Sequence, residues 1–187
     1  MKRNRIRTLR AVVAIISLGF MFGAIRNAHA SAAELHISPP ITALRVADLH
    51  DSFDEMHFGH RHEAIDIMEP RGTPIHAVDD GTIRKLFLSR AGGLTIYQFD
   101  REGTYCYFYA HLDRYADNLC EGMPVARGQV IGYVGTSGDA SPDASQLHFA
   151  IFRLDSDKLW WKGTPINPYP ILLEALTRVP PRFDASK

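Results

Sequence analysis

The sequence predicts a mainly β domain, an antiparallel sheet sandwich of the barrel-sandwich kind, closed by one short C-terminal helix. Two observations carry that reading. From about residue 46 onward, short β-rich runs alternate with turn residues at close intervals, a rhythm that suits hairpins and not alternating strand–helix units. Helical character is confined to 171–177, a short segment after Pro168 and Pro170.

The strands are read in order. Residues 73–78 are short, apolar and rich in β-formers. Asp80-Gly81 is a tight-turn pair, and 82–88 follows as a strand. Ala91-Gly92-Gly93 marks the next turn before a strand at 94–99. Glu102-Gly103 turns the chain again into 105–110, where Tyr105, Tyr107 and Tyr109 alternate along one face, either lining a groove or packed. A strand at 129–134 lies between Gly128 and Gly135, and 147–153 is the last clear one.

The ends read differently. Lys2, Arg3, Arg5, Arg7 and Arg10 precede an apolar run at 11–25, and Ala28-His29-Ala30 follows. A basic start, an apolar run of this length and an A-x-A site are the marks of an export signal. Residues 1–30 are therefore expected to be a signal peptide cleaved after Ala30, or else an uncleaved N-terminal anchor, the one case in which the chain would meet a membrane. Either way the protein is exported, to the periplasm or cell envelope. A polar lead-in at 31–45, interrupted by Pro39-Pro40, joins the signal to a catalytic-sized domain at 46–179, and 180–187 reads as a flexible tail. Cys106 and Cys120 are either a disulfide, which export permits, or two free thiols.

Composition narrows the function. Hydrophobic residues make up 45% of the 187, enough for a packed core. Lys plus Arg and Asp plus Glu both number 21, so no global field draws the chain to nucleic acid or to an anionic surface. The search turns to a local site. His62 and Asp66 are four apart, in a segment too β-branched for a stable helix. A straight strand would hold their Cα atoms roughly 13 Å apart, so the chain must bend near Glu63-Ala64 if both are to reach one ion. Gln146 and His148 are two apart in a predicted strand and project to one face. Imidazole and carboxylate both suit zinc, and three protein ligands with one open position is the pattern of a catalytic zinc site. Singly, each of these signals is weak.

Together they carry a resemblance. HEAIDIMEPRGTPI, YAHL and QLHFAI, with GQVIGYVGTSG before the last, occur in this order and resemble the motifs of lysostaphin-like peptidoglycan metallopeptidases (the LytM type). The similarity runs from about residue 46 to 170. It implies a lysostaphin-type β-sheet core crossed by a groove. It also implies one Zn²⁺ held by His62, Asp66 and His148, with His111 of YAHL as a catalytic histidine. The activity implied is zinc-dependent hydrolysis of the peptide cross-links of bacterial peptidoglycan. Two departures stand out. Ala64 replaces a usual glycine, which would strain the bend only if that position has positive φ. Gln146 replaces a second catalytic histidine, and an amide donates a hydrogen bond but does not carry a proton near neutral pH. Position 146 is thus expected to act as a hydrogen-bond donor. The alternative is a weak or inactive member that binds peptidoglycan or regulates a partner hydrolase. Glu63 reads as a solvated side chain, His57 and His60 as solvent-facing, His76 as a core or edge histidine, and Trp160-Trp161 as a cover over one end of the sheet or a sugar-stacking pair.

Overall fold

The computed structural model describes residues 35–57 and 59–178. The expected signal peptide and C-terminal tail lie outside these residues. Eleven strands, one short 3-10 turn at Val46–Asp48 and one helix make up the described chain. The strands are β1 (Met56–His57), β2 (His60–Arg61), β3 (Ile65–Met68), β4 (Pro74–His76), β5 (Gly81–Ser89) and β6 (Gly93–Asp100). They continue as β7 (Tyr105–Tyr115), β8 (Pro124–Val125), β9 (Val130–Val134), β10 (Gln146–Arg153) and β11 (Thr164–Ile166). The helix α1 is Pro168–Thr177.

Every pairing is antiparallel. β1 and β2 form a small hairpin of their own. The main sheet runs β11-β10-β7-β6-β5-β8 and stays open at both ends. β10 is its axis: β7 lies along one edge, and β3 and then β11 along the other. β7 changes partners part-way. Tyr105 to Ala110 pair with β10, whereas Leu112 to Tyr115 pair with β9, which also carries β4. The switch falls at His111, which adopts φ 60. A non-glycine residue in the left-handed region costs about 1 kcal/mol, so the kink is held there by its surroundings.

Along β3, β7 and β10 the core fills one face of this sheet, opposite the face that carries Asp66 and His148. Ile65, Ile67, Ile75, Ile83, Ile96, Leu112, Leu147 and Phe149 are fully buried. Tyr107 and Tyr109 are also fully buried, so the alternating tyrosines are a packed face and not a groove lining. Their hydroxyls are satisfied inside: Tyr107 donates to Asp79 at 3.0 Å, and Tyr109 donates to Gln98 at 2.8 Å while accepting from the Val78 amide. The lead-in contributes Ile37, Ile41 and Leu44 to the core. The helix begins three residues before the expected 171, because Pro168 occupies its first turn, where a missing N–H costs nothing. Asn167 caps it by accepting from the Tyr169 amide at 2.9 Å. Among the described residues, both cysteines are free, Cys106 buried and Cys120 exposed.

Candidate metal centre

β3 and β10 set the first half of the centre. Their register places Asp66 directly opposite His148, and directly opposed side chains of an antiparallel pair stand on one face within contact distance. His148 Nδ1 lies 3.1 Å from Asp66 Oδ1. His62 precedes β3 and is brought back by the bend that the sequence requires. The residue that makes the bend is Glu63, at φ 55, and not Ala64, which is outside the left-handed region and fully buried. The absent glycine therefore imposes no strain at position 64. The His62 and Glu63 amides fix the bend by donating to the Glu55 and Phe53 carbonyls.

The bend delivers His62 Nε2 to 3.3 Å from Asp66 Oδ2 and 3.0 Å from His148 Nδ1. The two imidazoles meet different oxygens of the Asp66 carboxylate, and one ligand atom from each residue lies within 4.8 Å of the others, close enough to converge on one zinc ion. The chemistry of the donors fits as well. Burial disfavours the Asp66 carboxylate, but the two imidazoles outweigh it and hold the group well below the usual carboxylate range. Burial pushes the His148 imidazole down, which favours the neutral ring that a metal ligand requires. Burial opposes charge on His62 too, yet Asp66 beside it makes the net shift upward. His62 Nδ1 faces the Ser52 carbonyl at 3.2 Å and its hydroxyl at 3.1 Å. An Nδ1–H donated there leaves Nε2 bare toward the centre, the usual outer support of a metal-bound histidine.

His111 stands on the wall of the same cleft, its ring centroid 5.6 Å from that of His148. Its amide donates to Gly92 and its Nδ1 lies 2.8 Å from the Ser137 carbonyl. Donation from Nδ1 fixes the tautomer and leaves Nε2 for the cleft. Ser137 is itself clamped: its hydroxyl donates to Leu112 and accepts from the Leu94 amide. Gly138 (φ 83) makes this close approach feasible, since a Cβ there would sit 2.1 Å from the Ala91 carbonyl oxygen. The cleft has a volume of about 600 Å³, and Gln146 lines it beside His148. Glu63 is half-buried at the rim, and His60 is exposed there. His76 is half-buried against Pro40 and lies elsewhere.

The structure thus brings His62, Asp66, His148, His111 and Gln146 into one cleft. Sequence reasoning missed Ser52 and Ser137, which act through a hydroxyl or carbonyl far along the chain. The Ser137 signal was present in GTSG, whose glycines mark a close backbone approach.

The model of peptidase family M23 matches residues 60–168, more than half of the chain. The chain belongs to peptidase family M23. Members of this family are zinc metallopeptidases. The M23 domain is 35% identical over 126 residues to an L-Ala–D-Glu endopeptidase of Bacillus subtilis, covering 64% of this chain and 37% of that protein. It is 33% identical over 118 residues to the glycyl-glycine endopeptidase ALE-1 of Staphylococcus capitis, covering 63% and 30%. The chain thus spans about a third of the length of these relatives. Among solved structures, a putative glycyl-glycine endopeptidase LytM of Ruminococcus gnavus aligns with a TM-score of 0.59 at 31% identity, covering 68% of this chain and 53% of that one. The catalytic domain of lysostaphin from Staphylococcus simulans aligns with a TM-score of 0.52 at 27% identity, covering 73% and 88%. The lysostaphin-type fold expected from the motifs is the fold observed.

Proposed function

We propose that this M23 protein is a zinc-dependent endopeptidase that hydrolyses peptide cross-links of bacterial peptidoglycan, working outside the cytoplasm in the periplasm or cell envelope. One observation carries the reading: His62 Nε2, the Asp66 carboxylate and His148 Nδ1 converge within 4.8 Å of one another in an open cleft. These three residues would hold the ion. When bound, it supplies Lewis acidity and lowers the pKa of water for attack on a peptide carbonyl.

The chain's own residues do the rest. Asp66 contributes a negative charge that keeps the centre selective for a cation. Ser52 orients His62. His111, locked through Nδ1, presents Nε2 to the cleft, where it stabilises an oxyanion or handles the proton of the departing amine. Gln146 presents an amide, which donates a hydrogen bond to developing negative charge but transfers no proton. That property favours the second reading, a slow or inactive member that binds peptidoglycan or regulates a partner hydrolase.

The test is to incubate the purified protein with peptidoglycan, with and without a chelator, beside His148→Ala, and to quantify bound zinc. New muropeptides that vanish with chelator and with His148→Ala support the enzyme. Stoichiometric zinc without cleavage supports the second reading. Absence of zinc binding overturns both the metal assignment and the mechanism.

A further inference from the structure

Trp160 and Trp161 are the chain's two tryptophans, and the M23 chemistry uses neither. They wall a second hollow of about 340 Å³ that shares Glu63, Phe108 and Phe152 with the cleft. This volume is at the small end of the range of small-ligand sites. Aromatic rings step from the metal centre out to it. His148 and Phe108 have ring centroids 5.9 Å apart, Phe108 and Tyr97 4.6 Å, Tyr97 and Trp160 4.7 Å, and Trp160 and Trp161 5.1 Å. The last ring ends at the surface, since Trp161 is 61% exposed.

Trp161 meets Trp160 edge-on and leaves most of its indole open to solvent as an apolar plate. Its fringe is polar and ordered. Lys162 lines the hollow and is held 3.2 Å from both Asp155 and Asp157. Glu63 lines the side toward the cleft. A ligand matching this surface needs an apolar face to stack and hydroxyls or amides around its edge, which is the makeup of a pyranose ring. An aliphatic side chain would leave the charged fringe unused.

We infer that the Trp160–Trp161 hollow is a subsite for an N-acetylated sugar ring of the glycan strand, stacked on Trp161 with its polar edge toward Lys162 and Glu63. The inference rests on the peptidoglycan reading above. In that polymer the peptide is covalently joined to the sugar, so both occupy one continuous surface. The four ring-to-ring steps are each under 6 Å, a path that at most about seven residues of extended peptide would span. A sugar bound there is remote from the reacting carbonyl. It strengthens ground state and transition state alike, so it lowers KM and leaves kcat unchanged.

Two measurements on the zinc-loaded protein test this. Intrinsic fluorescence reports the hollow alone, because no other tryptophan exists. Titration with an N-acetylglucosamine tetrasaccharide is expected to quench it saturably, and Trp161→Ala, with Trp160 left as reporter, is expected to abolish saturation. Cleavage is then followed on a glycan-linked substrate and on the same cross-linked peptide freed of sugar. Trp161→Ala is expected to raise KM about tenfold for the first, a loss of about 1.4 kcal/mol, with kcat intact, and to leave the second unchanged. An equal effect on both substrates would make the hollow a peptide subsite and overturn the sugar assignment. Unchanged KM for both, with no saturable quenching in the parent, would overturn it too. If the parent cleaves neither substrate, the enzyme reading fails, while the titration still decides the subsite.

Discussion

Asp66 and His148 are directly opposed across an antiparallel strand pair, with a carboxylate oxygen 3.1 Å from an imidazole nitrogen. Two paired strands thereby bring two of the three candidate metal ligands face to face. Asp66→Asn keeps the shape and removes the charge. The expected result is a zinc affinity at least about 100-fold lower with the far-UV spectrum unchanged, read by chelator competition. Affinity equal to the parent's would remove Asp66 from the ligand set.

Ser52 supports His62 through both its hydroxyl and its carbonyl. Ser52→Ala deletes one acceptor and leaves the other. Zinc affinity is expected to fall by about tenfold, at the mild end for an outer-shell partner. If chelator competition gives the parent's value, the carbonyl alone orients the ring.

Gly138 makes the clamp around Ser137 feasible. Gly138→Ala would drive a Cβ to 2.1 Å from the Ala91 carbonyl oxygen at a backbone φ of 83. A loss of about 2–3 kcal/mol is expected in denaturant titration. Zinc stoichiometry should survive, since the clamp holds His111 and none of the three ligands. A variant as stable as the parent would show that the turn readily rearranges.

Gln146 gives the sharpest functional test. Gln146→His adds a proton carrier to the cleft face already occupied by His148. Cleavage of peptidoglycan is expected to rise at least about tenfold, below the full range of general acid–base contributions. No gain would assign position 146 to hydrogen bonding alone.

The two cysteines predict a labelling pattern. Cys106 is buried, and burial pushes its thiol far above the ordinary range, whereas Cys120 is exposed. Alkylation of the native protein is expected to add one adduct, and alkylation after unfolding two. No native adduct, reversed by reductant, would reveal a disulfide.

Much of the sheet was legible because its hairpins are local. Asp80-Gly81 and Ala91-Gly92-Gly93 announced the turns on either side of β5, and the strands between them follow the expected bounds to within a residue or two. β3 was less visible, because four residues beside a bend carry little periodicity. The full length of β7 was hidden by its kink, since the left-handed conformation of His111 is uncommon outside glycine and leaves no pattern in the sequence. The bend between His62 and Asp66 followed from reach alone, but the residue that absorbs it did not. Only packing shows that Glu63 turns so that Ala64 stays buried. Ser52 left no trace in the motif spacing, since its role depends on a carbonyl, which every residue has.

The pairing of β3 with β10 also orders the assembly of the protein. Asp66 and His148 are 82 residues apart, while β5, β6 and β7 form a meander whose turns are only a few residues long. Short loops close before long ones, so the meander is expected to form first and the strand bearing His148 to join afterwards. The early folding chain would therefore lack the three-residue centre, and metal bound there with full affinity would report that folding has been completed.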